Sequence, residues 1–164
     1  MRKNLLIMRH AKSSWANSSL DDFDRPLNDR GIQDAPRMGK WIQEKELTPD
    51  LILSSTANRA KSTAEMVAES SAYQSEIRFH DYLYHGSPRD YFRALKVLSV
   101  TIDRCMVIGH NPGLENLVEH LTGEFETMPT AAIANVSLPI TDWEDIDQAD
   151  GQLLDIWRPK EIDD

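Results

Sequence analysis

The chain has 164 residues, 40% of them hydrophobic, with 27 acidic against 18 basic side chains and a formal net charge of -9. That length fits one domain, residues 1–164, with a real core. No apolar run approaches the roughly 20 residues that span a bilayer, and the negative balance argues against a general affinity for nucleic acid. An anion site in such a chain needs its own local cations, so the positions of individual arginines matter.

Residues 4–8 form a short apolar run that ends in Arg9 and His10. Such a run predicts a strand buried on both faces. In open α/β sheets, ligands bind outside the C-terminal ends of strands. The basic start followed by apolar residues mimics an export signal, but it is too short and lacks a small-residue cleavage site. A cytoplasmic location is therefore expected, with no membrane partner.

Residues 13–24 are polar without a helical period and predict a loop. Arg25-Pro26-Leu27-Asn28-Asp29-Arg30-Gly31 follows as a turn. Ala35, Met38, Trp41 and Ile42 have the spacing of an amphipathic helix over 32–47, which Pro49 closes. A second strand is expected at 50–55 and an alanine-rich helix at 56–71, capped by Ser55 or Thr56. A weak third strand (77–80), a loop (81–88) and a helix (89–100) come next. Residues 105–108 read as a strong fourth strand. The turn after it places Pro112 at the first position of a short helix over 114–121, ended by Gly123. Residues 131–140 and 152–157 predict a hairpin around an acidic loop, 142–151. The alternation predicts an α/β fold, a mainly parallel sheet flanked by helices, with the C-terminal hairpin adding an antiparallel edge strand.

Three strand-to-helix junctions carry ionisable residues. The first holds Arg9 and His10. The second puts Arg59 in the first turn of a helix, where a cation opposes the positive end of the helix dipole unless an anion is near. The third puts His110 just before a helix N-terminus, whose free N–H groups favour anions. Cys105, the one cysteine, lies in a strand and reads as an inert core thiol. His80 and His120 lack metal-ligand spacing and read as structural. Trp15, Trp41 and Trp143 read as packing residues, Lys12 as rim charge or solvated lysine, and the acidic run 143–150 as a solvated turn.

Met8-Arg9-His10-Ala11-Lys12-Ser13-Ser14-Trp15, the Arg25–Gly31 turn, Ser54-Ser55 with Arg59-Ala60 and Thr63-Ala64, and Val107-Ile108-Gly109-His110-Asn111-Pro112-Gly113-Leu114-Glu115 occur in that order. Together they resemble the histidine phosphatase superfamily, specifically its small SixA-type phosphohistidine phosphatases, over about residues 4–140. The resemblance implies a phosphoglycerate-mutase-like fold and a hydrolase without metal or other cofactor. It implies that His10 is the catalytic nucleophile, forming a phosphohistidine intermediate, with Arg9, Arg59 and His110 binding the phosphoryl oxygens. A neutral imidazole and arginine forks suit those roles. Nothing in the chain fixes the oligomeric state.

Two departures from the pattern stand out. Ala11 replaces a glycine common in the broader family. The loop after the third strand lacks the glutamate that larger members use as general acid, leaving Asp81 and His85, and more weakly Asp21 and Asp22, as candidates. An alkoxide leaving group wants such an acid, whereas phosphohistidine can leave as neutral imidazole after protonation of its free ring nitrogen. A phosphohistidine-bearing protein is therefore the expected substrate. The alternatives are a small phosphate ester or anhydride, or a non-catalytic phosphate-binding module.

Overall fold

The computed structural model describes residues 2–162. Ten elements alternate along the chain: β1 (Lys3–Arg9), α1 (Asp29–Glu44), β2 (Leu51–Ser55), α2 (Asn58–Ser70), β3 (Ile77–His80), α3 (Pro88–Leu95), β4 (Arg104–Gly109), α4 (Gly113–Thr122), β5 (Ile133–Leu138) and β6 (Gln152–Trp157), with short 3-10 turns between some of them. The strands form one sheet in the order β3-β2-β4-β1-β5-β6. β1 to β4 run parallel, and β5 runs antiparallel to both β1 and β6. The reversed strand is thus the inner member of the C-terminal pair. The edge strand, β6, pairs antiparallel with it, so the C-terminal hairpin forms the expected antiparallel edge.

Alternation along the strands divides the interior in two. Leu5, Ile7, Leu53, Cys105 and Val107 cluster with Tyr91, Leu95, Leu117 and Leu121 of α3 and α4. Leu6, Met8, Ile52, Met106 and Ile108 cluster with Ala35, Met38, Ile42, Ala64 and Val67 of α1 and α2. Strands apolar on both faces are what a sheet covered by two helical layers requires.

Helix boundaries shift from the sequence expectation for identifiable reasons. α1 begins at Asp29, before its apolar stripe, because the Asn28 side chain caps it by accepting from the Gly31 amide at 2.9 Å. α2 begins at Asn58 without a side-chain cap on Ala57. Ser55 instead bonds the Ala57 amide, at 3.2 Å. α3 stops at Leu95, short of the expected residue 100, and Leu98, expected on its apolar side with Tyr91, Phe92 and Leu95, is buried from beyond the helix end. Pro112 precedes α4 rather than opening it, and Gly123 ends that helix in the left-handed conformation. The acidic connection before β6 is more than a solvated turn. It contains a 3-10 helix, Trp143–Gln148, whose Trp143 and Ile146 are buried, with Trp143 Nε1 donating to the Ile102 carbonyl at 2.8 Å.

One contact positions the site. The first turn of α1 lies directly on the backbone of Lys12, so a Cβ at Gly31 would collide with it. The Asn28 amide donates to the Lys12 carbonyl (3.0 Å), and the Ser14 amide to the Pro26 carbonyl (2.8 Å). These bonds fold the Arg25–Gly31 turn back over the exit of β1.

Replacing Trp143 with alanine is expected to cost about 3–5 kcal/mol, the range for truncating a large core aromatic. Urea denaturation checks this, and a cost below about 1 kcal/mol would contradict the anchoring role given to this residue.

Candidate active site

Strand register brings the site together. Arg9 of β1 pairs with Gly109 of β4, so the next residues, His10 and His110, leave neighbouring parallel strands at the same level. Their ring centroids are 5.0 Å apart. β2 lies on the other side of β4, with Ser54 opposite Ile108. Ser55 therefore reaches His110, its Oγ 2.8 Å from Nε2. Three residues on, α2 starts at Asn58 and presents Arg59 from its first turn. All four sequence-derived site residues, Arg9, His10, Arg59 and His110, line one cavity of about 260 Å³.

Both histidines are buried and held neutral. His10 is lowered to about 3, first by burial and then by the Arg59, Arg9 and Arg25 cations, against the Ala11 carbonyl that favours its protonated form. His10 Nδ1 lies 2.7 Å from the Ala11 carbonyl oxygen. A carbonyl only accepts, so Nδ1 carries the ring proton and Nε2 keeps its lone pair. His110 is lowered to about 2 by burial and then by His10, Arg59 and His85. Ser55 Oγ accepts from the Ala57 amide and shares a hydrogen bond with His110 Nε2, which leaves Nδ1 as the His110 ring nitrogen without a partner in the protein.

The arginines are pinned on one side and unpaired on the other. Arg9 Nη1 donates to the Met128 carbonyl at 3.1 Å. Arg59 donates through Nη1 to the Asp22 carbonyl (2.7 Å) and through Nη2 to its carboxylate (3.0 Å). Arg25 donates from Nε to the other Asp22 oxygen at 3.2 Å. Among the described residues, six buried side-chain polar atoms make no hydrogen bond within the protein. Four of them are Arg9 Nε, Arg25 Nη1, Arg59 Nε and His110 Nδ1. Buried donors left in this way are costly in isolation. Four of the six belong to residues that line one cavity, and clustered guanidinium and imidazole nitrogens are groups suited to a multiply charged oxyanion.

Sequence reasoning did not single out Arg25, although it stood in the quoted turn. Its signal was a cation carried by a segment that has to fold back over the β1 exit. Asp22 also has a different role from the weak acid candidate expected. The Tyr84 hydroxyl donates to it at 2.6 Å, and with Arg59 and Arg25 this holds its carboxyl down to about 2 despite partial burial. It supplies the anion that the Arg59 position at a helix N-terminus demanded.

The remaining expectations divide. Asp81 accepts from Thr56 Oγ1 at 2.7 Å, and neither it nor Asp21 lines the cavity, whereas His85 does. The N–H groups of α4 are less available than expected, because Leu114 donates to the His110 carbonyl and Glu115 to Asn111 Oδ1. Lys12 is exposed on the cavity rim. Trp15 does not pack in the core: it is 75% exposed and also lines the cavity. Cys105 is fully buried, and burial pushes its thiol pKa up. His80 lies tilted against Tyr82 and His120 edge-on to Phe92, with ring centroids 4.9 and 5.0 Å apart. Among the described residues no group of three or more metal-ligating side chains comes together. A larger cleft of about 550 Å³, between α1 and Ile162, is lined without a histidine.

Comparison with known proteins points the same way. A family model described as histidine phosphatase superfamily (branch 1) matches residues 5–83. An uncharacterized chloroplastic protein of Arabidopsis thaliana is 30% identical over 152 residues, covering 87% of this chain and 70% of the relative. A solved structure of the protein histidine phosphatase SixA complexed with tungstate has a TM-score of 0.83 at 25% identity, covering 96% of this chain and 97% of that one. A chain of Agrobacterium tumefaciens assigned to SixA has a TM-score of 0.82 at 27% identity, with coverage of 96% and 98%.

The depressed histidine pKa values have a sign that can be tested. The folded protein resists a proton that the unfolded chain takes up near 6.5, so these two sites lower stability as pH falls from about 6.5. Imidazole NMR resonances of His10 and His110 are expected to stay at neutral positions from pH 8 down to 5. Midpoints near 6.5 would contradict the burial account.

Proposed function

The chain belongs to the histidine phosphatase superfamily, and from that premise we propose that it is a phosphohistidine phosphatase that passes the phosphoryl group from a protein histidine to His10 and then to water. The observation that carries this reading is the meeting of a neutral, nucleophilic His10 with buried, unpartnered nitrogens on Arg9, Arg25, Arg59 and His110, residues that line one cavity. The tungstate held by the similar SixA structure supports it, since tungstate, like phosphate, is a tetrahedral oxyanion.

The chemistry follows from the geometry. His10 Nε2 attacks phosphorus, forming a new N–P bond as the substrate N–P bond breaks. The imidazole gains positive charge, and the Ala11 carbonyl, already accepting from Nδ1, stabilises it. Arg9, Arg25, Arg59 and His110 direct their free N–H groups at the phosphoryl oxygens and neutralise charge without reorganising. The leaving imidazole departs neutral, with a proton on its other nitrogen. Water then attacks phospho-His10, giving inorganic phosphate and restoring the neutral ring.

The arrangement of acids favours a P–N substrate. Asp22 is locked as a carboxylate, and Asp81 is turned to Thr56. Neither is in a position to protonate an alkoxide. One observation favours a second reading, a phosphate ester: the exposed His85 ring lines the cavity, and an imidazole placed there is a donor for a leaving oxygen.

Phosphate release from a phosphohistidine protein and from an aliphatic phosphate ester separates the two. The wild type is expected to favour the former by at least about tenfold in kcat/KM, and His10→Ala to lose about a thousandfold or more. Faster ester turnover that collapses in His85→Gln would overturn the P–N preference. Release from neither substrate would favour a binding module.

A further inference from the structure

Trp15 takes no part in the phosphoryl chemistry above, yet its exposed indole is firmly placed. The Ser14 amide before it is bonded to the Pro26 carbonyl, and Ser13 forms a bridge with Leu27. The Arg25 guanidinium carbon lies 3.4 Å from the ring centroid. Arg25 is itself buried and tethered to Asp22. One indole face is therefore fixed on an immobile cation. The residue remains 75% exposed, so the other face is open, and it lines the same cavity as His10.

We propose that Trp15 is a stacking platform for the ring of the leaving group, the substrate imidazole in the phosphohistidine reading on which this inference rests. The cavity, about 260 Å³, falls just below the ~300–1,000 Å³ of sites that enclose whole small molecules. It holds a phosphoryl group and whatever is bonded directly to it. In phosphohistidine that group is a flat ring one bond from phosphorus, whereas in an aliphatic ester it is a flexible chain. A second flat ring, His85, stacked on Tyr84 with centroids 4.0 Å apart, also lines the cavity. A mouth carrying two oriented planar rings is built for a planar occupant. Trp15 would thus select among P–N substrates, leaving bond-making to His10.

The test compares phosphoimidazole with phosphoramidate, which has a P–N bond but no ring. Trp15→Ala is expected to lower kcat/KM for phosphoimidazole about tenfold, the lower range for stacking on an aromatic side chain, and to change phosphoramidate less than about twofold. Trp15→Phe should keep most of the phosphoimidazole activity. Equal losses on both substrates would mean that Trp15 acts only through Arg25, and no loss on either would mean that nothing stacks there. Either result overturns the proposal. A wild type that hydrolyses neither compound nor a phosphohistidine protein would refute the phosphohistidine reading separately. The same variants on phenyl phosphate against ethyl phosphate would then decide the platform, a loss confined to phenyl phosphate supporting it and equal effects rejecting it.

Discussion

The site depends on keeping an imidazole uncharged in the middle of three guanidinium groups. Burial removes water that would stabilise a protonated His10, and Arg59, Arg9 and Arg25 repel the proton further. The same cations that would bind a phosphoryl group therefore keep its acceptor nucleophilic. The arrangement is self-consistent only if the arginines are held apart and aimed. Asp22 does this for two of them and the Met128 carbonyl for the third. In a chain of net charge -9 this concentration of positive charge is local, and it is created by folding.

The sheet makes such placement inexpensive in conformational terms. His10 and His110 follow paired residues of adjacent parallel strands, so their separation is set by interstrand spacing rather than by a loop. Ser55 and Arg59 come from the next strand and the helix it feeds. Two apolar layers, one on each face, keep these strand ends in register. Ala11 fits this frame without a glycine. It is buried, it has no positive φ, and its amide donates to Thr63 Oγ1, which in turn bonds the Arg59 carbonyl.

Much of this was legible in the sequence, because the informative residues sit at strand ends where apolar runs stop abruptly. Arg9, His10, Arg59 and His110 announce themselves by position, and the alternation of strands and helices gives the class of fold. The roles of Arg25 and Asp22 were not legible, since both depend on how a polar loop folds back over β1, a tertiary contact without local periodicity. The same limit applies to Trp15, read as a packing residue but held at the surface on a stacked arginine, whereas Trp143, read the same way, is carried into the core by a 3-10 turn. Residues 96–100 show another limit: Leu98 keeps the helical spacing and is buried as expected, but the chain leaves the helix at Leu95 and buries it from a turn.

The central claim is that His10 is the phosphoryl acceptor. Its most direct test is to quench the protein during turnover of a radiolabelled phosphohistidine substrate and locate the label by peptide mass spectrometry. The account predicts an acid-labile, alkali-stable phosphate on His10, absent from His10→Asn. Label on another residue, or turnover that persists in His10→Asn without a phosphoenzyme, would contradict it.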